Sequence, residues 1–209
     1  MRINAKIVWD ELIEFSRSDT AVDIQTGMSH IITCCADSFI HSDWSRLRDL
    51  NYESGVRELA RWLPFVLSTE VPQIHLEGLW FGLYNPIDAD QVARTDIYVG
   101  GSCHYDEQDE ACEWALSLPY KPSCGRAHSS VLRAIYEIAY ENDDGLQNDA
   151  EWSLGLAFAV IAIPRAAHAV NIKCIPNHAS VIGVATGFDN GDAIPLGVIT
   201  ERGFSRTAP

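Results

Sequence analysis

The chain of 209 residues contains 47% hydrophobic and 21% charged residues, values that are ordinary for a soluble globular protein and that exclude a disordered or collagen-like chain. Acidic residues outnumber basic ones by 29 to 15, which gives a net charge of −14. Such a charge repels phosphate backbones and anionic membrane surfaces but attracts basic proteins, so it argues against nucleic-acid and membrane binding.

The N-terminal part of the chain, residues 1–70, has a mainly helical pattern. Val8, Leu12 and Phe15 recur at helical spacing and predict an amphipathic helix over residues 5–17. Residues 20–42 favour either a short strand or a helix around 31–36. A further helix is predicted over 52–69, and Pro64 is expected to kink it or to end it early.

The hydrophobic period then changes, and two strands are predicted. Residues 73–84 are rich in strand formers and end at the turn signal Asn85–Pro86, and a second strand covers 95–99. Because a loop of about ten residues separates them, the two strands should pair antiparallel. In a regular strand Trp80 and Phe81 point to opposite faces, so one of them should lie outside the main core.

The middle of the chain is predicted to contain two packed helices after an irregular acidic stretch. Residues 102–128 have little regular pattern, apart from a possible short helix over 109–117. Residues 129–141 form a clear amphipathic helix, and residues 149–163 form an almost wholly apolar one that Pro164 should interrupt. Its apolar stretch is too short to span a bilayer, so we expect it to be the central buried helix.

The end of the chain predicts a second hairpin. Two apolar runs, 179–186 and 194–199, flank an Asn190–Gly191 turn, and residues 203–209 are expected to be a loose tail. The whole chain, 1–209, is therefore predicted to be one α+β domain, with a helical part (1–70), a mixed part (71–202) and a tail. We expect antiparallel hairpins packed with about four helices, and the four strands can join in one sheet.

The six cysteines are expected to be reduced. The first residues carry charges without a following apolar signal core, and 209 residues can build a core without disulfides. A cytoplasmic location follows as the default expectation.

A cluster of cysteine and histidine suggests metal chemistry by residue type but not by spacing. Five such residues lie within 26 positions: Cys103, His104, Cys112, Cys124 and His128. Zinc prefers these ligands, but no C-x-x-C pair is present, and no phosphate-binding or nucleophile-elbow motif occurs. We therefore expect no metal, no cofactor and no catalytic residue; a small hydrolase or metal-dependent enzyme that uses the Cys103–His128 region is the alternative.

The negative charge is concentrated in two segments. Residues 85–120 have a net charge of −7 and residues 137–151 a net charge of −6. In the first segment aromatic residues alternate with acids, a pattern typical of either an interface or a filled core. We predict a binding surface for a basic protein here, formed by Tyr105, Asp106, Glu107, Asp109, Glu110 and Trp114.

Three strings of residues carry a resemblance that spans about residues 79–199. The strings LWFGLYNP at 79–86, DIYVGGS at 96–102 and GFDNGD at 187–192 resemble those of small uncharacterised bacterial cytoplasmic proteins, some of which are suspected immunity proteins of polymorphic toxin systems. The resemblance implies a specific toxin as partner, inhibition by occlusion and no enzymatic turnover. It brings no catalytic residues and leaves the oligomeric state open.

Overall fold

Helices and a single mixed sheet make up the α+β fold. The computed structural model describes residues 1–18, 22–87, 93–189 and 191–206. The helices of this part of the chain are α1 (Ala5–Arg17), α2 (Ile24–Ser38), α3 (Asp43–Arg48), α4 (Tyr52–Thr69), α5 (Ser130–Tyr140) and α6 (Asn148–His168). Its strands are β1 (Leu76–Tyr84), β2 (Asp96–Ser102), β3 (Arg126–Ala127), β4 (His178–Phe188), β5 (Ala193–Thr200) and β6 (Gly203–Ser205).

The strands form one sheet in the order β3-β2-β1-β4-β5-β6. Both predicted hairpins are confirmed: β1 pairs antiparallel with β2, and β4 pairs antiparallel with β5. The two hairpins join through parallel pairing of β1 with β4, so the four predicted strands do lie in one sheet. Position 190 of the predicted turn lies outside the described residues.

The prediction of a loose tail from residue 203 is wrong for its first residues. Gly203, Phe204 and Ser205 form β6 and pair antiparallel with the end of β5. Phe204 is buried there, and its ring packs edge-on against His168 at the end of α6. Burial of this ring explains why a short segment adds a strand to the edge of the sheet. Residues 207–209 lie outside the described part of the chain.

Helix α6 is the central buried helix, as predicted. It contacts α1, α2, α4 and α5 and one face of the sheet, so it is enclosed from all sides. By length and composition alone it could cross a membrane, but 89% of its apolar window is buried inside the protein, as expected for a core helix. The prediction that Pro164 interrupts it is wrong, because the helix continues to His168.

The N-terminal helices decide two points that the sequence left open, the structure of residues 20–42 and whether Pro64 ends its helix early. The ambiguous region 20–42 contains α2, and the short helix α3 follows it where no helix was predicted. Helix α4 runs through Pro64 to Thr69, with Val66 and Leu67 buried beyond the proline. We attribute this continuation to tertiary packing, which outweighs the lost hydrogen bond when the residues after a proline are anchored in a core.

The sheet has two different faces. Leu79, Phe81 and Leu83 point into the main core beneath the helices. Trp80 points to the opposite face and belongs to a second, smaller cluster with Cys112, Trp114 and Ala185. The predicted division between Trp80 and Phe81 is therefore confirmed, and the second face is covered by the irregular acidic segment rather than by a helix.

Candidate functional site

The candidate site lies on a face of the sheet where several regularly spaced positions are glycines. Gly78 and Gly82 on β1 and Gly183 on β4 face away from the helices, and an aromatic ring lies directly on each of them. A Cβ atom added at Gly183 would lie 2.0 Å from the ring of Tyr105, and one added at Gly78 would lie 2.6 Å from that of Trp114. The glycines thus let rings pack flat on the backbone of the sheet.

These rings hold down a segment that we call the acidic loop, residues 103–118. The ring of Trp114 is 8% exposed and meets that of Tyr105 edge to face, with centroids 5.8 Å apart. Around Trp114 the chain forms a short 3₁₀ turn, Glu113–Leu116, where a longer helix was predicted over 109–117. Because its ring is buried, Trp114 supports the loop from beneath, whereas the sequence predicted it as an anchor for a partner.

The four predicted acidic residues lie in this loop and differ in their local roles. Asp106, Glu107 and Glu110 are exposed, whereas Asp109 is half-buried and its carboxylate accepts the backbone N–H of Trp114 at 3.3 Å. Glu110 pairs with Arg17 of α1 at 3.1 Å in solvent. Asp106 Oδ1 accepts the backbone N–H of Gln108 at 2.9 Å, and an asparagine keeps this acceptor. Asp106→Asn and Glu107→Gln are therefore the charge-neutral substitutions that should disturb the fold least.

Burial and the negative charges of the acidic loop also change the pKa of Tyr105. Burial raises the pKa of Tyr105 to about 12, and the negative charges of Glu107 and Asp106 act in the same direction. Its hydroxyl is protonated at neutral pH, as that of an ordinary tyrosine is, and remains a hydrogen-bond donor.

A groove adjoins the acidic loop at the end of the strands. Two connected depressions of about 310 and 490 Å³ share Tyr98, Leu118, Lys121 and Asp189 in their walls. We call them together the aromatic groove. Trp80 Nε1 donates to the Tyr98 hydroxyl at 3.2 Å, and this hydroxyl donates to Asp189 Oδ1 at 2.7 Å.

The hydrogen bonds of the aromatic groove fix its polar groups. Burial raises the pKa of Tyr98 to about 12, and its bond to Asp189 adds to this shift, so Tyr98 remains a donor. Asp192, also in the wall, accepts a hydrogen bond from Trp152 Nε1 at 2.8 Å. The groove thus combines an aromatic floor with two carboxylates, and two cations, Lys121 and Arg126, also lie in its walls.

The segment that closes the groove is held by Glu70 at the end of α4. Its carboxylate accepts the hydroxyl of Ser123 at 2.6 Å and the backbone N–H groups of Ser123 and Cys124 at 2.8 and 2.7 Å. These hydrogen bonds, that of the Ser123 hydroxyl first, lower the pKa of Glu70 to about 2. Because these hydrogen bonds favour the ionised carboxylate of Glu70, their strength depends on pH.

We expect Glu70 to contribute acid-sensitive stability. Because its pKa falls on folding from 4.5 to about 2, its contribution is complete above about pH 4.5 and is lost as the pH falls towards 2. Glu70→Gln should therefore flatten the loss of thermal stability across this pH window relative to the unmodified chain. A series of melting curves from pH 6 to 2 measures this, with the exposed Glu14→Gln as the control. Parallel curves for all three proteins would contradict the assignment.

The cysteines and histidines of the alternative enzyme do not come together. Cys112 lies in the second cluster, Cys124 lies beside Glu70, and His128 lies between β3 and α5. Burial raises the pKa of Cys112 to about 12, which makes its thiol a poor nucleophile at neutral pH. Within the described residues, these positions form no group of three metal ligands.

His128 itself is oriented by a buried carboxylate. Its Nδ1 lies 2.9 Å from Asp96 Oδ2, and Asp96 is fully buried and also bonded by Arg133 through two nitrogens at 2.9 and 2.7 Å. Arg133 thus balances the charge of Asp96, and no hydroxyl or thiol of the described chain is hydrogen-bonded to the imidazole. This arrangement orients His128 without supplying a nucleophile.

A metal-type group that the sequence analysis missed lies elsewhere. Glu11 on α1 and His30 and Cys34 on α2 bring their ligand atoms within 4.8 Å of one another. The one sequence signal is the spacing of four between His30 and Cys34, which puts both on one helix face once α2 is known to be a helix.

Comparison with protein-family models, with curated proteins and with solved structures finds no match to this chain.

Proposed function

We propose that this chain is an acidic cytoplasmic binding protein that neutralises a basic protein partner, most concretely a toxin, by occluding its functional surface. The observation that carries the proposal is the acidic loop. Residues 103–118 contain five acidic residues and no lysine or arginine, and four of the acids, Asp106, Glu107, Glu110 and Glu113, have exposed side chains.

The packing of the loop supports a role in binding. Trp114 and Tyr105 fix the segment to the sheet, so its charges are held in place before a partner arrives. A surface that is already ordered loses less conformational entropy on association than a mobile one. Leu116 is 88% exposed at the end of the loop. Its side chain provides an apolar surface beside the charges that a partner can cover.

The part of the aromatic groove that lies against the acidic loop favours a basic partner, because its two carboxylates outnumber its one cation, Lys121, whereas Arg126 lines the other depression. Its floor contains Trp80 and Tyr98, and Asp189 and Asp192 lie in its wall. A lysine or arginine side chain of a partner that enters the groove would meet carboxylates and aromatic faces together, and both attract cations. We therefore place the binding surface across the acidic loop and the groove beside it.

Neutralising the loop should slow association with the partner. We expect Asp106→Asn with Glu107→Gln to reduce the association rate on the order of tenfold at low salt, and the full set with Asp109→Asn and Glu110→Gln to reduce it further, since such charges act on encounter. The melting temperature of the Asp106→Asn and Glu107→Gln variant should stay almost unchanged, because exposed charges contribute little to folding. Association kinetics at several salt concentrations measure the effect.

The matched control removes two exposed charges from the other acidic segment, by Asp143→Asn with Asp144→Asn. It should alter association much less than the loop pair does. Equal effects of the two pairs would mean that only net charge matters and would contradict a binding surface at the loop. An association rate that is indifferent to all four loop substitutions would contradict it as well.

Neutralisation of a toxin is tested by co-expression. The product of the gene next to the one encoding this chain is expressed alone and together with it in a heterologous host. We expect arrest of growth in the first case, rescue in the second and weaker rescue by the loop variants. A neighbouring product that is harmless, or a toxic one that the intact chain does not suppress, would count against the toxin as partner.

A further inference from the structure

Three side chains from two helices converge at the surface where α1 packs against α2. Nε2 of His30 lies 2.8 Å from Glu11 Oε2 and 3.8 Å from Cys34 Sγ. His30 and Cys34 are one helical turn apart, and Glu11 reaches them from α1. The ring of His30 also contacts that of Phe15, with centroids 5.8 Å apart, which restricts its orientation.

Two of the three distances between donor atoms are close to those that a zinc ion requires, and the third, from Cys34 Sγ to the Glu11 carboxylate, is within 4.8 Å. With Zn–S near 2.3 Å and Zn–N and Zn–O near 2.0–2.1 Å, a tetrahedral site separates sulfur from nitrogen by roughly 3.6 Å and nitrogen from oxygen by roughly 3.3 Å. The 3.8 Å separation of Cys34 and His30 already fits. The 2.8 Å contact of His30 with Glu11 must open by about 0.5 Å, and both side chains are partly exposed, at 47% and 30%, and can move.

We propose that Glu11, His30 and Cys34 bind Zn²⁺ through Oε2, Nε2 and Sγ. The fourth position faces solvent and would be taken by water or by a ligand from outside the cluster. A thiolate, an imidazole and a carboxylate together suit a borderline-soft divalent ion and disfavour Mg²⁺ or Ca²⁺, which prefer oxygen ligands only.

The surroundings of the cluster are negative. Burial, followed by the negative charges of Glu11 and Asp37, raises the pKa of the Cys34 thiol, and a bound cation would offset those charges. Zinc binding would release the thiol proton and leave a coordinated thiolate. The ion would link α1 to α2, two helices that are joined by only a short connection and that form one side of the main core.

No metal was expected from the sequence because of the poor spacing of the cysteines and histidines from Cys103 to His128. The proposed zinc site uses none of those residues. Glu11 and His30 are 19 residues apart and lie on different helices, so no motif in the sequence links them. The zinc site shares no residue with the acidic loop or the aromatic groove, so zinc binding and partner binding can be tested separately.

The test uses Co²⁺ as a spectroscopic probe and Zn²⁺ as a competitor on the full reduced chain. One equivalent of Co²⁺ should give a thiolate charge-transfer band in the near ultraviolet and tetrahedral visible bands, and Zn²⁺ should remove both. Zn²⁺ at about 100 times its Kd should raise the melting temperature on the order of 5–10 °C.

Cys34→Ser should abolish the charge-transfer band, and Glu11→Gln and His30→Gln should weaken Zn²⁺ binding at least tenfold. Cys174→Ser, which removes an exposed thiol far along the chain, is the matched control and should leave the spectrum unchanged. Circular dichroism checks that each variant is folded. A spectrum without a thiolate band, or one that survives Cys34→Ser and disappears with Cys174→Ser, would overturn the site.

Discussion

Trp114→Ala should lower the free energy of unfolding by about 3–5 kcal/mol, the range for removal of a large buried aromatic side chain. The indole packs on the backbone of Gly78 and against Tyr105, and its removal would leave a cavity between the acidic loop and the sheet. Chemical denaturation with two-state analysis measures the loss. The acidic loop should also become more mobile, which faster hydrogen exchange of its backbone amides would reveal.

A matched substitution separates burial from residue type. Phe65→Ala removes an aromatic side chain that is 57% exposed on α4, and it should cost far less. If Trp114→Ala instead left stability unchanged and only speeded dissociation of a partner, the ring would be a surface anchor, as the sequence alone suggested. Loss of stability together with slower association is the result that the structure predicts.

Arg133→Met should destabilise the fold by about 3–5 kcal/mol, because it leaves the carboxylate of Asp96 in the interior without its bidentate partner. The side chain of Asp96 is fully buried at the start of β2, and that of Arg133 is 23% exposed on α5. The ion pair therefore joins the sheet to a helix at a point shielded from water. Urea denaturation of the variant gives the cost directly.

A double substitution tests the cause of that cost. Asp96→Asn combined with Arg133→Met removes both charges, so it should be less damaging than the sum of the two single changes. Lys6→Ala breaks the exposed pair with Asp10 and should cost less than about 1 kcal/mol. Additive effects of the two buried substitutions would mean that the charges do not interact as the structure indicates.

Hydrophobic periodicity was sufficient for the elements that are long and one-sided or wholly apolar. Helix α1 begins and ends where predicted, and the spacing of its apolar residues is a purely local property. The same holds for α5 and for the two hairpins, whose alternation and turn residues are contained in short stretches of chain. Burial of α6 also followed from composition, because a helix that is apolar on all sides has to be enclosed.

Helix ends and edge strands depended on contacts that the local pattern does not contain. Pro64 and Pro164 lie within helices that continue because residues beyond them are packed in the core. The strand β6 forms because the ring of Phe204 is buried against His168, a residue distant in sequence. The parallel pairing of β1 with β4 likewise joins segments about a hundred residues apart.

The sequence by itself determined the class of the fold, the sign of the charge and the segment in which the acids are concentrated, because composition and local spacing are enough for these. Only the tertiary structure decided that Trp114 lies beneath the acidic loop and not on its surface, because the space for its ring is provided by Gly78 on β1, which is distant in the sequence. It also separated Cys112 and Cys124 and brought Glu11 to His30 and Cys34. Each of these outcomes depends on packing between distant segments, and local spacing does not encode such distances.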